Sequence, residues 1–367
     1  MEYIGCMLKY IPLLTALLVV PCVFTACKDN AHLQQLACLE KPCLHPEAES
    51  DRELLMEHYR RYYAGQEGIE EFPYIAVVMS EAACEPSLRP QVLAIVKELH
   101  SRGALIGQPY TDGTLASFYA LYMGDPELIA WFTEQGYPPQ MPDNTPMGRH
   151  YPMFAAYGGQ LELLKQLHAD GAQLHRKDAM GQGIHLYAAM AGSIECLEYL
   201  AANGVDITAS GDNGGSPAIA AAFSGNVDCV RYLADKGCDI HSTYKDGTNA
   251  LMYAAWGGST EMLDYLITQG LSVNACSGNG TTALHHAAFG GHVPAIQYLL
   301  QKGLNVNTAD THGVTPLMCA AMRGHVRAIR FLLQNGADRN ATDSSGKTAY
   351  QYARAKGYTA AAKALKE

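Results

Sequence analysis

Histidines, cysteines and a glycine-rich string are the residues of this 367-residue chain whose types and spacing could carry chemistry. The adjacent pair His285-His286 has the makings of a metal site or an acid–base centre. Either role needs a converging partner, a further ligand or a carboxylate to orient the ring, and the sequence supplies none. Gly278-Asn279-Gly280 resembles part of a phosphate-cradling loop, but no strand precedes it and no lysine follows it. Cys38 and Cys43 do not have a zinc spacing, and the nearby His32 and His45 do not complete a site. In an oxidising compartment the two cysteines are instead a candidate disulfide. No HExxH, GxSxG or CxxC string occurs. The reading is therefore of a non-enzyme, with no catalytic residue, metal ligand or cofactor.

The elements that would have to position any site repeat along the chain. Gly159, Gly192, Gly225, Gly258, Gly291, Gly324 and Gly357 stand 33 residues apart. A second register at the same interval holds Gly171, Gly204, Gly237, Gly270, Gly303 and Gly336, and a third runs from Gly148 through Gly181, Gly214, Gly247, Gly280 and Gly313 to Gly346. Leu167, Leu200, Leu233, Leu266, Leu299 and Leu332 hold one further register, the spine of a continuous core. Registers in phase predict a stack of identical units, and such stacks work as binding surfaces more often than as catalysts. Cys196 and Cys229 take equivalent places in adjacent units. Units stack about 8–10 Å apart and a disulfide needs Cα atoms within about 7 Å, so both are expected as small core residues.

The clearest unit, Asp310 to Thr342, reads DTHGVTPLMCAAMRGHVRAIRFLLQNGADRNAT. Its turn Asp310-x-x-Gly313, its Thr315-Pro316-Leu317 entry, Ala320-Ala321, Gly324-His325, Leu332-Leu333 and Gly336-Ala337-Asp338 resemble an ankyrin repeat. The unit upstream repeats the pattern with Thr282, Leu284, His285, Ala287, Ala288, Gly291 and His292. Thr315 caps a first helix and Pro316 fits its first turn, where no donor is lost. Val326, Ile329, Leu332 and Leu333 give a second helix one apolar face. The resemblance implies an all-α solenoid of stacked helix pairs joined by β-turn fingers. It also makes His285 a structural histidine, hydrogen-bonded within the repeats. Residues 145–342 hold six repeats of 33 residues, 112–144 a divergent one, 72–111 an N-terminal capping helix pair and 343–367 a C-terminal capping repeat. His150-Tyr151-Pro152 and Gly183-Ile184-His185 stand where Thr-Pro-Leu is expected, which predicts distorted first helices in those two units.

Residues 1–26 read as a signal peptide. Lys9 precedes an apolar stretch from Tyr10 to Ala26 that contains Pro12 and Pro21. It is shorter than the roughly 20 residues of a spanning helix. Met7 is an alternative start to Met1, since Glu2 fits a basic leader poorly. The ending Thr25-Ala26-Cys27 resembles a bacterial lipoprotein signal, in which Cys27 is acylated and anchors the chain to a membrane. An ordinary signal cut elsewhere and an uncleaved anchor are the alternatives. Residues 27–71 then form a tether followed by a short helix. The net charge of −10 and the lack of a basic run argue against a nucleic-acid partner, which needs Lys and Arg clusters on phosphate.

One row carries the sharpest expectation. Tyr157, Met190, Phe223, Trp256, Phe289 and Met322 occupy position 13 of successive units, counting Asp310 as position 1. The resemblance puts that position at the end of the first helix, on the concave face. Large aromatic and methionine side chains there would give a partner-binding stripe. Lys245 and Asp246 on a nearby finger tip would tune association. The leading expectation is a monomeric, non-enzymatic scaffold of the bacterial cell envelope that binds a protein partner. A secreted effector, toxin or stress-protection factor is the alternative, with an enzyme acting through residues 28–110 as a third reading.

Overall fold

A computed structural model of the protein describes residues 89–101, 103–107, 115–138 and 148–367, together with Ile75 and Met79. Cys27, Cys38, Cys43 and the tether of residues 27–71 lie outside the described residues. The chain divides into two compact units, the second of which runs from Gly181 to Glu367 apart from a short upstream segment. Among the described residues there are 17 helices and no strand beyond two isolated bridges.

The first unit holds α1 (Arg89–Ser101), α2 (Ala116–Met123), α3 (Pro126–Glu134), α4 (Tyr151–Tyr157) and α5 (Leu161–Ala169). Asp125 starts α3, its carboxylate accepting from the Glu127 and Leu128 amides, with Pro126 in the first turn where its missing donor costs nothing. Phe118 of α2 stacks on Phe154 of α4 at 4.5 Å between ring centres, so the first helices of consecutive pairs meet through their apolar sides. Arg149 also lies over the Phe154 ring, 4.8 Å from its centre.

The second unit is a solenoid of six helix pairs. They are α6 (Ile184–Met190) with α7 (Ile194–Ala202), α8 (Pro217–Ser224) with α9 (Val227–Asp235), and α10 (Ala250–Gly257) with α11 (Thr260–Thr268). Then come α12 (Ala283–Phe289) with α13 (Val293–Gln301), α14 (Pro316–Met322) with α15 (Val326–Gln334), and α16 (Ala349–Ala355) with α17 (Thr359–Ala364). First helices pack on first helices and second on second, so the main contacts of each repeat are with its neighbours. The two rows differ in burial for a reason visible in their sequences. A first helix such as α10 is apolar all round and is buried from Ala250 to Trp256. A second helix such as α11 buries Met262, Leu263 and Leu266 and shows its other face to water.

Short helices need their ends satisfied. Ser216, Asn249 and Thr315 cap α8, α10 and α14 by accepting the amides of Ile219, Met252 and Met318. Gly225 closes α8 in the left-handed region at φ 76°, which any other residue adopts only with strain. The distortion expected where Thr-Pro-Leu is missing does not occur. The first helices α4 and α6 each span seven residues, as α14 does. Packing of their apolar residues holds them without the cap, and the His150 ring bonds the Lys177 carbonyl at 3.2 Å instead.

Leu200, Leu233, Leu266, Leu299 and Leu332 are fully buried in the second unit, and Leu167 is buried in the first. Cys196 and Cys229 are buried free thiols beside this spine. Leu233→Ala is expected to cost about 2–5 kcal/mol, as other buried large-to-small changes do. Urea denaturation followed by circular dichroism measures it, and a wild-type midpoint would place Leu233 outside the core.

Candidate functional site

The fingers between helix pairs form the surface on which the repeats converge. Each closes on itself in the same way. The amides of Gly211, Tyr244, Ser277, Asp310 and Asp343 donate to the carbonyl four residues on, at 2.8–3.0 Å, and Gly214, Gly247, Gly280, Gly313 and Gly346 donate back to those five residues. Where Asp occupies the first position its carboxylate adds to the closure. Asp310 accepts from the His312 and Val314 amides, and Asp343 from those of Ser345 and Lys347. Tyr244 replaces that Asp in its finger. Its ring is buried, stacks on Tyr253 at 5.2 Å, and occupies the space that a side chain at Gly215 would need. Burial pushes the Tyr244 phenol up to about 12.

Neighbouring fingers are also bonded to each other. The Lys245 amide donates to the Asn213 carbonyl at 3.0 Å, Gly278 to Asp246 at 2.6 Å, Thr311 to Asn279 at 2.9 Å and Ser344 to His312 at 2.7 Å. One bond per repeat, in one register, ties five finger tips into a ribbon. The three inner tips are bonded to a neighbour on each side and the two end tips to one, which restrains where their side chains are presented. Asp212, Lys245, Thr311 and Ser344 are exposed, and Asn213, Asp246, Asn279 and His312 half-buried. The ribbon is polar with charges of both signs, and Gly278-Asn279-Gly280 is one of its turns.

Beneath the ribbon the position-13 row is closed over, which corrects the expectation of an open stripe. Trp256 is only 2% exposed, and Met190, Phe289 and Met322 are buried. Phe223 is half-buried. In the first unit Tyr157 is buried against Tyr122, with 5.2 Å between ring centres. The rings of the second unit bury one another. Trp256 meets Phe223, Tyr253 and Phe289 edge to face at 5.8–5.9 Å, and His286 at 6.3 Å. The Arg323 guanidinium covers Phe289 at 5.0 Å. Glycine at the next position makes this closure possible, because a side chain at Gly257 would overlap the Phe223 carbonyl. The backbones of adjacent first helices therefore approach closely there and the Trp256 ring is left without a free face, whereas Phe223, followed by Ser224, stays half-buried. From Met190 to Met322 the row is a largely buried core within the second unit, and exposed side chains lie at the finger tips instead.

The histidines take structural places. His285 Nδ1 meets Thr282 at 3.0 Å and Nε2 meets the Val314 carbonyl of the next finger at 3.1 Å. His325 bonds the Phe289 carbonyl of the preceding repeat at 2.8 Å, as Asn226 bonds Gly192 at 2.9 Å. Burial holds His285 down at about 4 and His286 at about 3, so both rings are neutral at physiological pH. His286 Nε2 and Trp256 Nε1 are buried without a hydrogen-bond partner. Among the described residues, no group of three or more His, Cys, Asp or Glu is placed to hold a metal ion. Nor is any helix among the described residues long and apolar enough to cross a membrane.

Sequence reading singled out Lys245 and Asp246, and both lie in the bonded ribbon, Lys245 exposed and Asp246 half-buried. It missed the ribbon itself, because backbone donors and acceptors leave no mark on residue type. A family model for ankyrin repeats in three copies matches residues 152–244 and 237–310, and one for ankyrin repeats in many copies matches residues 299–353. No curated protein matches the chain.

Proposed function

Because the chain belongs to the ankyrin-repeat family, we propose that it is a non-enzymatic scaffold that holds a protein partner against its finger ribbon. Ankyrin repeats are protein–protein interaction modules. The observation that carries the reading is the one-bond-per-repeat ladder between finger tips. A pre-ordered polar edge loses little conformational entropy on binding, and that loss is a main cost of association. The mixed charges of Asp212, Lys245 and Asp246 suit a polar protein surface of comparable mixture. A strongly anionic partner would meet repulsion from two of the three.

The partner is met at the bacterial envelope, where lipid on Cys27 holds the monomeric scaffold. The support is the leader pattern, a basic residue and an apolar stretch ending in Thr25-Ala26-Cys27. Acyl chains contribute about 0.8 kcal/mol per buried methylene, so more than one chain anchors firmly. The experiment combines both parts. Cells expressing the chain are grown with a clickable fatty acid, and the protein is isolated from detergent-solubilised envelopes. The expected result is label lost in Cys27→Ser and a co-purified protein released when the exposed side chains of the tips are removed. An unlabelled wild type would overturn the anchor. Co-purification indifferent to the finger tips would overturn the binding edge.

A further inference from the structure

The net charge of −10 conceals an uneven distribution within the second unit. Residues 181–322 carry four Lys and Arg against eleven Asp and Glu, whereas residues 323–367 carry nine against three. Several of the nine cations are gathered around the last helix pair. Tyr350, Arg354, Tyr358, Lys363 and Lys366 line a cleft of about 370 Å³ between α16 and α17. Lys366 Nζ stands 5.0 Å from the centre of the Tyr350 ring and the Arg354 guanidinium 5.9 Å. Lys366 beside it holds the Tyr350 phenol below its usual range. Arg339 reaches the Lys366 carbonyl at 3.5 Å, and Arg330 approaches Glu367 at a loose 3.9 Å. Arg354, Lys363 and Lys366 have no carboxylate partner among the described residues, although exposed cations elsewhere on the unit do, Arg231 with Asp228 and Lys302 with Asp264.

We propose that this basic cleft is a second docking site, distinct from the finger ribbon, and that it takes a short acidic peptide segment of another protein. Three cations without a carboxylate partner line the cleft, Arg354 and Lys366 against the Tyr350 ring and Lys363 on the facing helix, and they supply charge-assisted hydrogen bonds to carboxylates, with Tyr350 as a flat contact. The charge of the rest of the unit selects the size of the occupant. A bilayer or a nucleic acid is an extended polyanion and would also lie beside the acidic excess of residues 181–322. That repulsion acts over a Debye length of about 8 Å at physiological salt. A short segment fits within the cleft and escapes it. The site does not depend on the partner proposed for the fingers.

Fluorescence anisotropy of the full chain with a short labelled peptide of alternating glutamate and serine tests the proposal. The expected result is saturable binding that weakens as salt is raised. It should fall about tenfold in the triple variant Arg354→Gln, Lys363→Gln, Lys366→Gln, as expected for the loss of a few exposed charge pairs. Arg354→Lys, which keeps the charge, and Lys236→Gln, an exposed change elsewhere on the unit, should bind as wild type does. A helical circular dichroism signal equal to wild type certifies the fold of each variant. The proposal is overturned if the triple variant binds equally well or if a glutamine-for-glutamate peptide binds as tightly. It is overturned too if anionic phosphatidylglycerol vesicles, inorganic phosphate or a second copy of the chain occupies the cleft in preference to the peptide.

Discussion

Trp256→Ala is expected to cost about 3–5 kcal/mol, the range for removing a large buried aromatic side chain. Trp256 is in ring contact with Phe223, Tyr253, His286 and Phe289, which come from three successive repeats. Its removal leaves one cavity shared by all of them. Each repeat is supported mainly by its neighbours. Loss of structure should therefore spread from α10 into α8 and α12, with a broadened urea transition. Circular dichroism reads the loss of helix. The only other tryptophan, Trp131, lies in the first unit and reports on that unit separately by fluorescence. An unchanged urea midpoint would mean that the Trp256 ring is dispensable and that the row is a surface after all.

Acidification should destabilise the second unit through His285 and His286. Burial lowers both rings in the folded chain, to about 4 and about 3, whereas an unfolded histidine titrates near 6.5. Between those values the unfolded state binds more protons, so the sign is fixed. The stabilisation is complete above about pH 6.5, begins to be lost as pH falls below it, and is exhausted only below the folded values. By pH 5 each ring should have cost about 2 kcal/mol. Urea midpoints at pH 7 and pH 5 measure the sum. His286→Leu should abolish its half of the loss. At pH 7 it should be close to neutral, since the Nε2 atom it removes has no partner. Equal acid sensitivity in His286→Leu and wild type would place the proton uptake elsewhere.

The periodicity of the stack was legible because backbone geometry imposes it on residue type. Positions such as Gly225 and Gly324 adopt positive φ, where glycine is nearly obligatory, so the helix ends print themselves into the chain at each repeat. The leucine spine was legible for a similar reason, since one buried register tolerates little else. The fate of the position-13 row was not. Register places Trp256 at the end of a first helix, but its burial depends on how closely α8 and α12 approach, and that distance is set by side chains the residue itself does not reveal. Gly257 and Gly290 at the following position were the available signal, since a missing side chain there lets the backbones close. The finger ladder joins main-chain atoms and has no sequence signal at all. The basic cleft was present in the sequence but hidden by counting charge over the whole chain. Counting by repeat separates the cations from Arg323 onward from the acidic repeats before them.

The central claim is that a partner is held by the exposed finger tips while the aromatic row beneath them holds the repeats together. Titration calorimetry of the co-purified partner against three forms of the chain tests it most directly. The forms are wild type, the tip variant Lys245→Ala, Ser344→Ala, and the core variant Trp256→Phe. The account predicts that the tip variant keeps its urea midpoint and binds about tenfold more weakly, with a reduced salt dependence. Trp256→Phe should lower the midpoint and leave the affinity of the folded protein unchanged. Wild-type affinity in the tip variant, together with weakened binding by fully folded Trp256→Phe, would contradict it.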